Sequence, residues 1–543
     1  MKPIHSSFKI TVALLFSSQL SFAAADSSPN YLLYSLFGVG IIALIYAVLS
    51  LADNMMQIEA KNLGVDTSEN DYSLFPSFSS LFKPSAGDHV DYKRFVSLKQ
   101  GHDIKLVGGA DTEHTIVNTA KHYAIKPTNF RGMAPIPKIS SVVGDHVKAG
   151  DALMFDKSNP EVIYAAPVSG EVIEIKRGAK RAITEVIIKA DSEVTFKENT
   201  VPNLENASRE DIVKFMLETG GWAHLNQRPF DVVPSHEIVP KNIFVSTFAT
   251  APNAPDLNAV VEGNDGAFQK GLDALAKLTD GQVFIGLDGR REHSSHVAFS
   301  GATGVVSNYF AGKHPSGNVG IQIHHTAPIN TGDVVWTLKV QDVIILGRLF
   351  MTGAYDTRTR IALTGAEVNN GYVETYLGAS VQELIGANLK SDHVRIISGD
   401  VLTGDIIAVD GYLDQKTSQV TVLEEGDKHE LFGWLLPLKP RPSVSPTFPT
   451  YIMSNHKFDV DTNTHGEKRA FVQTGAYEKM LPMDIFPQHL MKAILANDFE
   501  NMEGLGILEL SEEDLALCEF ICPSKSPLQS ILRDGLDTMR DQM

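Results

Sequence analysis

Residue types that commonly carry chemistry are sparse in this chain of 543 residues. Cysteine occurs twice, at Cys518 and Cys522. Two thiols at that spacing, on a stretch that reads as helix, suit neither a disulfide framework nor a four-thiolate metal site. His324 and His325 follow Gly320-Ile321-Gln322-Ile323, whose alternation reads as a strand. Consecutive rings are then expected on opposite faces, where they cannot chelate one ion. His314, in Lys313-His314-Pro315, has no partner at ligand spacing. No G-x-G-x-x-G joins a strand to a helix, so no loop lets a pyrophosphate approach a helix N-terminus. Gly220-Gly221-Trp222 and Ser300-Gly301-Ala302-Thr303-Gly304 come nearest, with the wrong spacing. The basic run Lys176-Arg177-Gly178-Ala179-Lys180-Arg181 reads as a solvated loop rather than an anion site. No residue is singled out as catalytic, as a metal ligand or as a cofactor contact.

The frame around these residues is that of several domains, because single cores rarely grow past about 250–300 residues. The net charge of −18 argues against a nucleic-acid partner and against a polybasic membrane-surface patch. The N-terminus carries its own signal. Lys2, His5 and Lys9 precede an apolar run from Ile10 to Phe22, and Ala23, Ala24 and Ala25 follow, so residues 1–25 have the order of a secretory signal. Residues 31–51 form a second apolar run without a charge. At about 1.5 Å per residue it reaches about 30 Å, the thickness of a bilayer core, and is expected to be a transmembrane helix. A signal followed by a stop-transfer span leaves the remainder of the chain on the cytoplasmic side. Residues 52–92, with Pro76, Pro84 and no sustained period, read as a linker.

Past the linker the expectation is an α/β and α+β multidomain protein. Residues 93–200 alternate short strands with Gly-Asp turns, as in Val142-Val143-Gly144-Asp145-His146-Val147-Lys148-Ala149-Gly150-Asp151. This resembles the biotinyl/lipoyl-type barrel-sandwich hybrid, whose carrier members bear a prosthetic group on a hairpin lysine; Lys157 lies near the matching turn. In residues 201–350, Asn242-Ile243-Phe244-Val245-Ser246 and Gln282-Val283-Phe284-Ile285-Gly286 read as buried parallel strands of a Rossmann-like layer. The amphipathic helix between them carries Ala267, Leu272, Leu275 and Leu278. Residues 351–435 run strand, turn, strand and short helix (Ser380 to Ile385) and resemble the soluble-ligand-binding β-grasp, SLBB-type module. Residues 436–543 turn helical after a Pro-rich bridge. Ser511 with Asp514 forms a capping box, and Leu528, Ile531, Leu532, Leu536 and Met539 mark a last amphipathic helix.

In this order the pieces resemble the NqrA family, the A subunit of the Na+-translocating NADH:quinone oxidoreductase (Na+-NQR), over residues 93–543. Among the runs that carry the likeness are Ala166-Pro167-Val168-Ser169-Gly170, Arg177-Gly178-Ala179-Lys180-Arg181, Glu430-Leu431-Phe432-Gly433-Trp434 and Tyr477-Glu478-Lys479-Met480-Leu481-Pro482. The same domain series resembles flavin- and iron–sulfur-bearing subunits of related respiratory complexes. There a cluster needs four thiolates; here Cys518 and Cys522-Pro523 stand alone, so the cluster scaffold is degenerate. The resemblance implies a protein on the cytoplasmic side of the bacterial inner membrane that supports NADH-to-ubiquinone electron transfer coupled to Na+ export. It implies no tightly bound cofactor, with NADH, FMN, riboflavin and FeS in partner subunits. Those partners are the B, C, D, E and F subunits, chiefly the membrane-embedded B subunit, and ubiquinone is the candidate ligand. Ser300-Gly301-Ala302-Thr303 matches the S-G-A-T flavin acceptor of other subunits, but Val297 replaces the acidic residue three positions earlier, and it reads as a coincidence. Family members start near the residue matching Phe95, so the N-terminal extension is an addition. Two rival readings are a membrane-fusion adaptor, which needs a heptad hairpin not found here, and a lipoyl-like carrier, which a mass shift on Lys157 would reveal.

Overall fold

The computed structural model describes residues 89–543 apart from 117–119, 135, 292, 429, 431–438, 447, 454, 473–474 and 543, together with scattered helical residues between Ser35 and Met55. The chain divides into a unit Met1–Ser85 and a unit Ala86–Met543. In the first unit, Phe37, Ile41, Leu44, Ile45 and Val48 are helical and each more than half exposed. The signal-like segment 1–25, most of the span 31–51 and nearly all of the linker lie outside the described residues. Among the described residues no helix is long and apolar enough to cross a membrane.

Among the described residues the second unit is built on four sheets. Strands β1 (Phe95–Ser97) and β2 (Thr115–Ile116) open it and pair far from their sequence neighbours. The barrel-sandwich hybrid follows. One antiparallel sheet runs β3 (His122–Ile125), β9 (Ile183–Ala190), β8 (Gly170–Arg177) and β5 (His146–Val147). The other holds β4 (Lys138–Ile139), β6 (Ala152–Phe155) and β7 (Ile163–Ala165). Leu153, Met154, Val168, Val172, Val186 and Ile188 close its core. The turns form where Gly and Asp coincide: Asp145 Oδ2 accepts the Val142 N–H at 2.8 Å, and Asp151 Oδ2 accepts the Lys148 N–H at 2.7 Å.

The α/β layer carries β10 (Asn226–Arg228), β11 (Ile243–Ser246), β12 (Val283–Asp288), β13 (Val306–Ala311) and β14 (Val335–Lys339). Its order is β1-β13-β12-β11-β14-β10, parallel throughout except for β10. Chain order reverses between β11 and β14, which is where open α/β sheets place ligands, outside the carboxyl ends of the strands. Its helices are α1 (Arg209–Thr219), α2 (Leu257–Val261), α3 (Asp265–Ala276), α4 (Val297–Ser300), α5 (Val319–Thr326) and α6 (Val340–Thr352). Helices α3 and α6 cross at glycines: a Cβ on Gly347 would stand 1.6 Å from the Ala267 carbonyl, and one on Gly271 would stand 2.2 Å from that of Val343.

The fourth sheet runs β18 (Asp405–Ile407), β17 (Val394–Ser398), β19 (Gln419–Glu424), β15 (Arg358–Thr364), β16 (Gly371–Tyr376) and β2, with α7 (Val381–Ile385) beside it. The helical end comprises α8 (Pro487–Leu495), α9 (Phe499–Gly504), α10 (Glu512–Ile521) and α11 (Leu528–Gln542). Ser511 and Asp514 form the expected capping box on α10. Leu528, Leu532, Leu536 and Met539 bury the expected face of α11. These helices build a second core with Ile321 and Tyr477.

One expectation is corrected. His324 and His325 do not end a strand; they close helix α5. Gly320, Ile321, Gln322 and Ile323 are all buried there, so the segment shows no amphipathic period and its chance alternation reads as strand.

Candidate functional site

Buried titratable groups converge where the barrel-sandwich hybrid, the α/β layer and the fourth sheet meet. Helix α1 stops at Gly220, whose φ of +81° only glycine adopts freely and whose Cβ would stand 2.6 Å from that of Ala165. The Gly220-Gly221 pair is therefore a helix stop rather than a phosphate loop. The tight turn Gly221–His224 that follows delivers His224 into the junction.

His224 Nδ1 lies 2.7 Å from Asp342 Oδ1, and its Nε2 lies 3.0 Å from the Tyr355 hydroxyl. All three residues are buried. Asp342 is fixed because it caps α6, taking the Lys339 N–H at 3.3 Å. Burial works to raise the Asp342 pKa, but the His224 hydrogen bond and nearby cations outweigh it and hold the carboxyl below its ordinary range. Burial, then the Asp342 charge, drives the Tyr355 phenol well above its ordinary value. Lys416 donates from Nζ to Asn226 Oδ1. Burial pulls its pKa down, against the pull of Asp342 and Asp231.

Tyr164, Phe130, Leu377, Gln415, His224, Tyr355 and Lys416 enclose a cavity of about 10 Å³ here, room for about one water. A larger cleft of about 530 Å³ lies on edge strand β2, lined by His114, Asn369, Asn370, Asn388 and Lys390. It is open and amide-lined, so the small enclosed cavity is the better chemical candidate.

The parallel sheet is covered by the protein itself across β11 and β12. A Cβ on Gly286 would stand 2.0 Å from Gln322 Oε1, and Gln322 Nε2 donates to Ser246 Oγ at 2.8 Å. The Gly317 N–H donates to Thr250 Oγ1 at 3.0 Å, closing the loop over β11. His314 sits behind it, its main-chain N–H on Asp103 Oδ1 at 2.8 Å and its pKa lowered by burial.

A second polar cluster fastens the helical end. Arg228 Nη2 donates to Glu513 Oε1 at 3.1 Å, and Arg131 bridges Asp231 at 2.7 Å and Glu512 at 2.8 Å. Arg533 Nε lies 2.9 Å from Glu512 Oε1. Burial, and then the Asp514 carboxylate, push the Glu513 pKa up to about 7. His324 adds a latch. Its Nε2 accepts the Asp484 N–H at 3.1 Å, so Nδ1 carries the proton shared with Glu509 Oε2 at 2.8 Å. His325 Nε2 donates to the Pro482 carbonyl at 2.7 Å.

The remaining residues singled out by sequence stand apart. Cys518 and Cys522 are buried, free thiols. The Tyr477 hydroxyl donates to Cys522 Sγ at 2.9 Å, and Cys518 Sγ donates to the Tyr477 carbonyl at 3.6 Å. Burial raises the Cys518 pKa far above the ordinary thiol value. Among the described residues no group of three His, Cys, Asp or Glu could hold a metal ion. Lys157 lies exposed in the loop between β6 and β7, whose far end is held by Glu161 on His236 at 3.2 Å. Thr303 is bound through its backbone to the Gln269 amide at 3.0 and 3.1 Å.

Comparison with known proteins covers the same framework. Residues 96–191 match the NqrA N-terminal barrel-sandwich hybrid domain, residues 207–355 the NqrA second alpha/beta domain, and residues 360–408 the NQRA C-terminal domain. The chain is 36% identical over 454 residues to the A subunit of the Na(+)-translocating NADH-quinone reductase of Vibrio atlanticus (strain LGP32), covering 82% of this chain and 100% of that one. It is 37% identical over 451 residues to the same protein of Yersinia pestis bv. Antiqua (strain Angola), with the same coverage. An NAD+-reducing [NiFe]-hydrogenase in the air-oxidized state is similar at 11% identity and a TM-score of 0.32, covering 64% of this chain and 72% of that one, and adds nothing to the assignment. With identity of this order along the whole length of those relatives, the chain belongs to the NqrA family, the A subunits of the Na+-translocating NADH-quinone reductases.

Proposed function

We propose that this chain serves as the NqrA component of a sodium-pumping NADH–ubiquinone reductase, in a non-redox role on the cytoplasmic face of the bacterial inner membrane. The observation that carries the reading is end-to-end similarity to named subunits of that complex. The non-redox part is supported by chemistry on the page. Both thiols are engaged with Tyr477, and no G-x-G-x-x-G joins a strand to a helix to seat a dinucleotide. Flavins, iron–sulfur centres and the NADH site then belong to the partner subunits, chiefly contacted through the membrane-embedded B subunit.

The finer reading is a ubiquinone contact at the three-sheet junction. Quinone reduction consumes two protons, and Tyr355, Lys416 and His224 are proton-carrying groups facing one cavity. The cavity must widen to admit a ring, which junctions between domains allow more readily than a single core. Membrane attachment rests on residues 31–51, supported by apolar side chains exposed at successive helical positions Leu44 and Ile45. The seven-domain division 1–25, 31–51, 52–92, 93–200, 201–350, 351–435 and 436–543 is part of this proposal.

The test is gentle extraction of membranes through a tag on this chain, with mass spectrometry of all that accompanies it. Recovery of proteins bearing covalent flavin and of an NADH-oxidising partner supports the reading. Recovery of an outer-membrane channel or an efflux transporter overturns it.

A further inference from the structure

Strands β8 and β9 form a hairpin of eight residues on each side. Its turn is closed by the Ala182 N–H on the Ala179 carbonyl at 3.0 Å, with the Gly178 N–H on the Ala182 carbonyl at 2.8 Å. The two central residues, Lys180 and Arg181, have φ of +52° and +64°. Two consecutive left-handed residues make the two-residue hairpin turn that prefers Asn-Gly, because a side chain there crowds the following carbonyl. Here both positions carry cations instead. Arg177, Lys180 and Arg181 are exposed, and none has an ion-pair partner among the described residues. Lys176 is neutralised by Glu185 at 2.9 Å. A concentrated cationic tip on a chain of net charge −18 is a local exception to its electrostatics.

We infer that this tip, Arg177, Lys180 and Arg181, docks on an anionic lipid surface by engaging headgroup phosphates. The inference rests on the reading that residues 31–51 anchor the chain in a bilayer, which keeps headgroups at high effective concentration. Composition favours lipid over a protein partner. Stable protein interfaces have an apolar or aromatic centre, whereas residues 177–181 offer only Arg, Gly, Ala and Lys. Backbone strain retained at an exposed, charged position motivates a functional reading of the tip.

The native cysteines are buried, so an Ala179→Cys variant takes an environment-sensitive dye at the tip alone. The full chain is placed in nanodiscs of phosphatidylcholine, or of phosphatidylcholine mixed with phosphatidylglycerol, with a quencher on the lipid. Quenching is expected only with phosphatidylglycerol, with tip occupancy about a hundredfold higher for three cations, reversed by salt. Adding Lys180→Asn and Arg181→Gly should lower occupancy about thirtyfold while relieving the turn, so a loss of folding cannot explain it. Equal quenching in both lipids, or shielding that appears only with the other subunits whatever the lipid, overturns the proposal. If the chain inserts in neither disc, the anchor reading fails; the same label on free chain mixed with those discs still decides the tip.

Discussion

His224 and Asp342 form a buried hydrogen-bonded pair 2.7 Å long, although 118 residues separate them in the sequence. The pair ties the start of α6 to the turn before β10, and Tyr355 completes it from the far end of α6. Asp342→Ala removes both the partner of a buried imidazole and a helix cap, and is expected to cost about 3 kcal/mol. Tyr355→Phe removes one hydrogen bond and should cost about 1 kcal/mol. Trp222 and Trp336, buried with ring centroids 5.3 Å apart, provide the fluorescence signal for denaturant unfolding. Equal costs for the two variants would show that the triad is not organised around Asp342.

Gly286 and Gln322 give a test of the packing of α5 on β12. Gly286→Ala places a Cβ where the Gln322 amide now stands, and overpacking of this kind costs about 1–3 kcal/mol. Gln322→Ala empties that space, so the double variant should regain part of the loss. Strictly additive costs in a double-mutant cycle would mean that the two residues do not compete for the same volume.

The clamp on α10 sets a pH dependence. The Glu513 pKa is raised in the folded chain to about 7, above an unfolded value of about 4.3. The folded state therefore binds more protons between those values, and stability falls as pH rises through that window. Arg228, Asp231 and Asp514 face the same carboxyl and share the effect. Glu513→Gln should flatten the slope of stability against pH between about 5 and 7. A slope unchanged in that variant would assign it to another group.

The thiols should be silent in the folded chain. Cys518 and Cys522 are buried, and Tyr477 occupies both. Alkylation followed by mass spectrometry is expected to modify neither until denaturant is added. Rapid native labelling of Cys522 would contradict the packing around Tyr477.

Much of the framework was legible because it is local. The Ser511–Asp514 cap and the Leu528, Leu532, Leu536 and Met539 face repeat at helical spacing, and β11 and β12 are uninterrupted apolar runs. The pairing of β1 with β13 and of β2 with β16 could not be read, since two- and three-residue strands specify no partner. Helix α5 reads as a strand because four consecutive buried residues, Gly320 to Ile323, erase its period. The candidate site was hidden for a related reason. His224, Asp342, Tyr355 and Lys416 are single polar residues in separate elements, and only tertiary packing assembles them. One signal was available: Gly220-Gly221 marks a helix stop, and the residue that such a stop delivers into a core merits inspection.

On the proposed function this chain works within the reductase and holds no redox centre of its own. The most direct measurement isolates the full complex through a tag on this chain, separates its components, and assays each for flavin and iron. Flavin fluorescence and iron are expected with the other components and neither with this chain. Stoichiometric iron or flavin on this chain would contradict it.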